Sequence, residues 1–223
     1  MLDTGRMTNT VYHYVSQIEK RVAFIAYNGA ALAYDGWGIL KLIQPEQIRK
    51  VAAFCHKHGL YMQTYGQMRI YAEKYCKELL IDPDLKHSEF VKVDDFEKYD
   101  GLPTPKILCV RFEDDVDQLL EEMAREFDDL FVTKSNPELI EITAIGVDKA
   151  AMLDMFCKAK GILREETVAI ANSLNDLPMI EWAGVGVAVG NSDEILRGHA
   201  DMVTEAEYTD GVMEAVDKLF PRH

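Results

Sequence analysis

Short apolar runs alternate with polar turns along most of the chain, and their spacing predicts a succession of strands and helices. Val22 to Ala26 is a continuous apolar run and reads as a buried strand. Asn28-Gly29 marks a turn, and Ala31 to Tyr34 returns as a hairpin strand. In "QPEQIRKVAAFCHKHG", Pro45 suits a helix start, and Ile48, Val51, Ala52 and Cys55 share one face. Gly59 can close that helix in a left-handed cap. "LYMQTYGQMRIYAEK" mixes strand and turn, with Tyr61, Met62, Tyr65 and Met68 expected in the core. Residues 82–105 are polar and loop-rich, with prolines at 83, 103 and 105.

The second half is more regular. "KILCVRF", 106–112, predicts a strand, and "DDVDQLLEEMAREF", 114–127, an amphipathic helix with acidic residues in its first turn. "LFVTKS" and "LIEITAI" read as paired strands, and "DKAAMLDMFCKAKG" as a helix ending at Gly161. Val168 to Ala171 is a short strand that breaks into a polar turn, Asn172 to Asp176. A helix from Pro178, the strand "VGVAVG", "ADMVT" and a last helix "DGVMEAVDKLF" follow. Strand and helix alternate from about residue 146 onward, which indicates a parallel sheet. The less regular middle reads as a separate α+β module. No internal repeat or low-complexity tract interrupts the pattern.

Composition narrows the classes. Apolar residues at 48% and charged residues at 28% suit a globular protein with a real core. The net charge of −14 argues against nucleic-acid binding, which needs a basic footprint. No apolar run approaches the roughly 18 residues that span a bilayer. Cys55, Cys76, Cys109 and Cys157 are widely spaced and form no C-x-x-C, and no signal peptide is evident. Buried thiols in a reducing cytoplasm are the expectation.

Several motifs carry no chemistry on this reading. "LDTG", Leu2 to Gly5, matches the short signature of aspartic proteases, but those are all-β and this chain is not. In "CHKH", His56 and His58 are two apart and point to different helix faces, which argues against zinc. "GVGVAVG" lacks the strand–turn–helix order of a dinucleotide site and reads as close strand packing. Lys149, at a helix start where a cation opposes the dipole, is either a solvated surface lysine or one held for an anion. The turn Asn172 to Asp176 alone could be a turn and N-cap.

Taken in order, these segments carry a resemblance. "DTGRM", then "FIAYNGAALAYDG", then "GVDKAAML", then "ANSLNDLPMIEWAGVGVAVGNS" and "ADMVTEAEYTDGV" follow the motif order of the haloacid dehalogenase (HAD) superfamily. The chain resembles in particular its Cof-type sugar-phosphate phosphatases. The resemblance implies an α/β fold: a HAD-like Rossmannoid parallel-sheet core, its N-terminal strand missing, from residues 1–35 and 142–223, with an inserted α+β cap at 36–141. It implies a phosphorylated small molecule as ligand, with Thr4, Gly5, Lys149 and Asn191 at the phosphoryl group. It assigns Asn172 and Asp176 to a weakened Mg²⁺ site, supported by Asn175, Asn28 and Gly29.

Two departures bear on activity. The family's first motif, D-x-D-G-[TV], supplies nucleophile and general acid/base, and no such motif occurs in these residues. Asp3 lies beside Thr4, outside the nucleophile position, and neighbouring strand residues face opposite ways. The acid of the fourth motif is Asn172 here, which keeps an oxygen ligand and loses a charge. The expectation is a hydrolase-family chain, impaired or inactive as a phosphatase. The alternatives are a non-catalytic phosphate-binding module, a sheet completed by self-association or a second chain, or an active enzyme whose true start lies upstream of Met1.

Overall fold

A parallel β-α-β unit opens the chain: β1 (Leu2–Asp3) pairs with β2 (Phe24–Ala26), and α1 (Thr8–Val15) lies between them in sequence. All three residues of β2 are buried, as its unbroken apolar run requires. A 3₁₀ turn at Tyr27–Gly29 leads to β3 (Ala31–Tyr34) and β4 (Trp37–Leu40), both antiparallel, giving the sheet order β1-β2-β3-β4. This computed structural model describes residues 1–35, 37–66, 68–76, 88–112 and 116–221. They form two compact units, Met1–Val147 and Asp148–His223.

The first unit continues with α2 (Pro45–His58). Its N-terminus is braced by the Gln47 side chain, which accepts from the Gln44 backbone N–H at 2.9 Å. Gly59 ends it at φ 68°, the left-handed cap the sequence predicts. A six-stranded sheet follows from β5 (Tyr61–Gly66), β6 (Arg69–Ala72), β7 (Glu89–Lys92), β8 (Ile107–Val110), α3 (Asp117–Glu126) on its flank, β9 (Leu130–Asn136) and β10 (Leu139–Ala144). Its order is β7-β6-β5-β8-β10-β9. Every pairing is antiparallel except β6 with β7.

Both faces of this sheet are covered. Ile107 and Cys109 join Ile48, Val51, Phe54 and Met123 in one apolar cluster. Leu108 and Val110, pointing the other way, join Met7, Val11, Phe24 and Tyr27 in a second. That is why β8 is buried at every position. Met62 and Tyr65 are core residues as expected, whereas Met68, at a turn with φ 70°, is 53% exposed. The acidic start expected for the 114–127 helix falls partly at 114 and 115, outside the described residues; α3 itself begins at Asp117.

The second unit is α4 (Lys149–Lys160), β11 (Val168–Ala171), α5 (Leu177–Trp182), β12 (Val185–Ala188), α6 (Glu194–His199), β13 (Met202–Val203) and α7 (Tyr208–Leu219). The strands are parallel in the order β11-β12-β13. The expected packing role of "GVGVAVG" is visible at Gly186, where a Cβ would lie 2.6 Å from the Ile180 carbonyl oxygen. Contacts gather residues 1–35 with the chain up to Val147. The four cysteines are free thiols and buried. Among the described residues, no helix is long and apolar enough to cross a membrane.

Candidate functional site

In the first unit, backbone bonds tie the loop after β1 to the β2 strand and the turn that follows. Thr4 N–H donates to Ile25 O at 3.1 Å, Asn28 N–H to Thr4 O at 3.1 Å, and Tyr27 N–H to Arg6 O at 2.9 Å. The Thr4 hydroxyl oxygen accepts from Arg6 N–H at 3.2 Å. Asn28 occupies the left-handed region at φ 54°, which Asn tolerates better than most residues. A Cβ on Gly5 would lie 2.7 Å from Asn28 Oδ1, so only glycine lets the loop close on this side chain. Thr4, Gly5, Asn28 and Gly29 are therefore brought together in one loop pair.

A buried charge network sits behind that loop, and of its members the sequence reading named only Asn28. Lys106 Nζ donates to Gly5 O at 2.7 Å and to Glu141 Oε1 at 3.0 Å. Asn28 Nδ2 donates to Glu141 Oε2. Lys106, Glu141 and Asn28 are each no more than 6% exposed. The three side chains satisfy one another, which is the condition under which a buried ion pair is tolerated. The available signal was a charged residue directly before one apolar strand, in "KILCV", and another inside a second, in "LIEIT". Their partnership depends on the β8–β10 register, which sets Glu141 opposite Leu108.

In the second unit, β11 runs into the polar turn. Lys149, the first residue of α4, donates from Nζ to Asp176 Oδ1, and Ser173 N–H donates to Asp176 Oδ2 at 3.2 Å. The Lys149 and Asp176 side chains are 5% and 9% exposed, so the solvated-surface reading of Lys149 does not hold. Asp148 caps α4 by accepting from Ala151 N–H at 2.7 Å, which fixes where Lys149 begins. Asn172 is exposed, and its backbone oxygen accepts from Asp193 N–H at 3.1 Å. Asn175 is half-buried within the same turn. Asn191 Oδ1 accepts from Tyr208 N–H at 2.9 Å and so braces the start of α7.

The donor set in this unit fits a magnesium ion poorly. Mg²⁺ favours octahedral oxygen donors with one or two carboxylates. Here Asp176 is the one carboxylate of the turn, both its oxygens already accept hydrogen bonds, and Asn172 adds a neutral oxygen.

Comparison with known proteins places the chain among relatives of one kind. The sequence profile of a family described as haloacid dehalogenase-like hydrolase matches residues 1–216. The 5-amino-6-(5-phospho-D-ribitylamino)uracil phosphatase YcsE of Bacillus subtilis (strain 168) is 26% identical over 97% of this chain and 80% of its own length. A second B. subtilis phosphatase of the same name, YitU, is 27% identical over 98% of this chain and 84% of its own. The crystal structure of a haloacid dehalogenase-like hydrolase from Bacteroides thetaiotaomicron superposes with a TM-score of 0.77 at 27% identity, covering 97% of this chain and 84% of that one.

Proposed function

This chain belongs to the haloacid dehalogenase-like hydrolase family, and on that premise we propose that it is a phosphatase-type member that binds phosphorylated small molecules of sugar-phosphate kind. We further propose that its own 223 residues turn such esters over little or not at all. The relatives named for a phosphatase activity support the ligand class.

The observation that carries the reading is the buried Lys149–Asp176 pair at the end of β11. A lysine held out of water at a fixed position acts on a phosphoryl dianion far more strongly than a solvated one. Asp176 and the capped helix start keep that cation in place. In the first unit, Thr4 and Gly5 offer the hydroxyl and the glycine backbone that the resemblance assigns to phosphoryl oxygens. In the second unit, Asn191 is another residue that the resemblance assigns to phosphoryl oxygens, with its amide oxygen engaged by α7.

Turnover is a separate matter. Phosphoryl transfer by this family's route needs a positioned nucleophile, and no D-x-D-G-T carboxylate is present among these residues. With Asn172 in place of an acid, metal support is weakened as well. The test is calorimetry with orthophosphate and a sugar phosphate, alongside an aryl-phosphate assay with Mg²⁺. Saturable heat that Lys149→Ala abolishes, with no turnover, is the expected result. Absence of heat with every phosphorylated ligand would overturn the binding claim. Lys149-dependent turnover at the rate of active relatives would overturn the inactivity.

A further inference from the structure

The first unit contains a cavity of ≈ 510 Å³ that the phosphoryl-binding reading leaves unused. That volume lies within the range of about 300–1,000 Å³ usual for small-molecule sites. Its walls are apolar, and Tyr27, Tyr65, Tyr71 and Tyr99 bring four aromatic rings to them. None of its described lining residues is Asp, Glu, Lys, Arg or His. An ion entering would lose its water and meet no counter-charge, so the lining selects against charged ligands. Aromatic walls instead favour a planar ring, which stacks or packs edge-on against them. Tyr27 and Tyr65 already stand in such a tilted relation, ring centroids 6.2 Å apart.

One wall of the cavity hangs on the Thr4–Gly5 loop. Tyr27 donates its backbone N–H to Arg6 O at 2.9 Å, and its neighbour Asn28 donates to Thr4 O at 3.1 Å. Thr8, another lining residue, begins the helix that leaves this loop. Lys106, which also holds Gly5 O, lies 5.2 Å from the ring centroid of Tyr65, the lining residue next to Tyr27. Loop and cavity are thus two parts of one local structure. We infer that the cavity is a binding site for the uncharged planar ring of a phosphomonoester whose phosphoryl group is taken by the Thr4–Gly5 loop. This names a planar, unsaturated remainder in addition to any sugar part of the ester, and rests on the phosphoryl-binding reading above.

Two substitutions fill the cavity from positions that tolerate them. A Cβ on Gly66 would meet only Tyr71 Cε2, at an ordinary 3.6 Å, so Gly66→Leu adds bulk without backbone strain. Leu40 is 57% exposed, so Leu40→Trp leaves the core intact. The full chain is titrated without metal against 1-naphthyl phosphate, orthophosphate and 1-naphthol, followed by naphthalene fluorescence and by competition. The wild type binds 1-naphthyl phosphate at least about tenfold more tightly than orthophosphate, the gain expected from burying a ring. Each filled variant loses that advantage and keeps its orthophosphate affinity. Equal affinities in the wild type, or an advantage that survives both substitutions, overturn the ring site and leave the phosphoryl reading standing. Binding of 1-naphthol that both substitutions abolish, with no orthophosphate binding in any variant, overturns the phosphoryl half and keeps the ring cavity.

Discussion

Lys106 and Glu141 show how much of a local site one buried charge pair can hold. Lys106 ties Gly5 and Glu141 ties Asn28, so removing either partner strands a charge and frees one side of the Thr4–Gly5 loop. Lys106→Met is expected to cost about 3–5 kcal/mol, the usual penalty for breaking a buried pair. The double variant Lys106→Met/Glu141→Leu costs less than the sum of the single changes, because the second removes the stranded carboxylate. Urea unfolding of the four proteins checks this, and strictly additive costs would contradict the coupling. At Asn172 the expectation concerns charge alone. Asn172→Asp gives the turn a second carboxylate, at its exposed position, in addition to Asp176, and Mg²⁺ affinity rises; unchanged affinity in a metal titration would show that the position is no ligand. Lys149 and Asp176 could be singled out because they stand in an ordered run of motif residues, and the structure joins them. Lys106 and Glu141 were not, because 35 positions separate them and only strand register joins them.

At the next scale, elements are tied together by groups whose pairing depends on pH. His56, in the last turn of α2, contacts Glu97 at 2.5 Å and Glu73, just beyond β6, at 3.0 Å. The hydrogen bond to Glu97 is the main cause that raises its pKa above 6.5, with Glu73 adding to it and partial burial opposing. A raised folded-state pKa means that the protonated ring favours the folded form. The contribution is complete below 6.5 and is lost as pH rises through the higher folded value. The thermal midpoint is therefore expected to fall as pH climbs through that window, and His56→Gln should flatten the decline. A wild-type decline unchanged in the variant would assign it to other groups. His58, two residues on, stacks on Phe54 at 4.3 Å, so the two histidines face different ways as their spacing predicts. Long periodic elements such as α2 and α4 were legible, together with the glycines that end them, Gly59 and Gly161. Helix α1, "TNTVYHYV", was not: β-branched and aromatic residues give it weak helix propensity, and its N-cap makes no side-chain bond. Strand β7 was hidden in a polar stretch because its pairing with β6 is parallel and non-local.

For the whole molecule, the order of elements was legible because strand and helix alternate so regularly after residue 146. The first unit builds two apolar clusters on opposite faces of one six-stranded sheet, with large side chains such as Phe54, Phe96, Ile107 and Ile140. The second has a three-stranded sheet and one cluster: Ala169, Met179, Ile180, Ala183, Ala188 and Leu196. Half of those six are alanines, which bury little apolar area, so each strand there gains less from burial. Small units with small cores are marginal for the same reason. Native-state hydrogen exchange should therefore rank the two. Amides of β8 and β10 exchange only through the largest openings, whereas those of β11 and β12 open at lower free energy. Protection in β8 and β10 is expected to exceed that in β11 and β12 by at least about tenfold. Equal protection would mean that the second unit draws stability from something beyond its own core. A phosphorylated ligand that engages Lys149 should raise protection in β11 selectively, because a ligand stabilises the unit it binds in proportion to its occupancy.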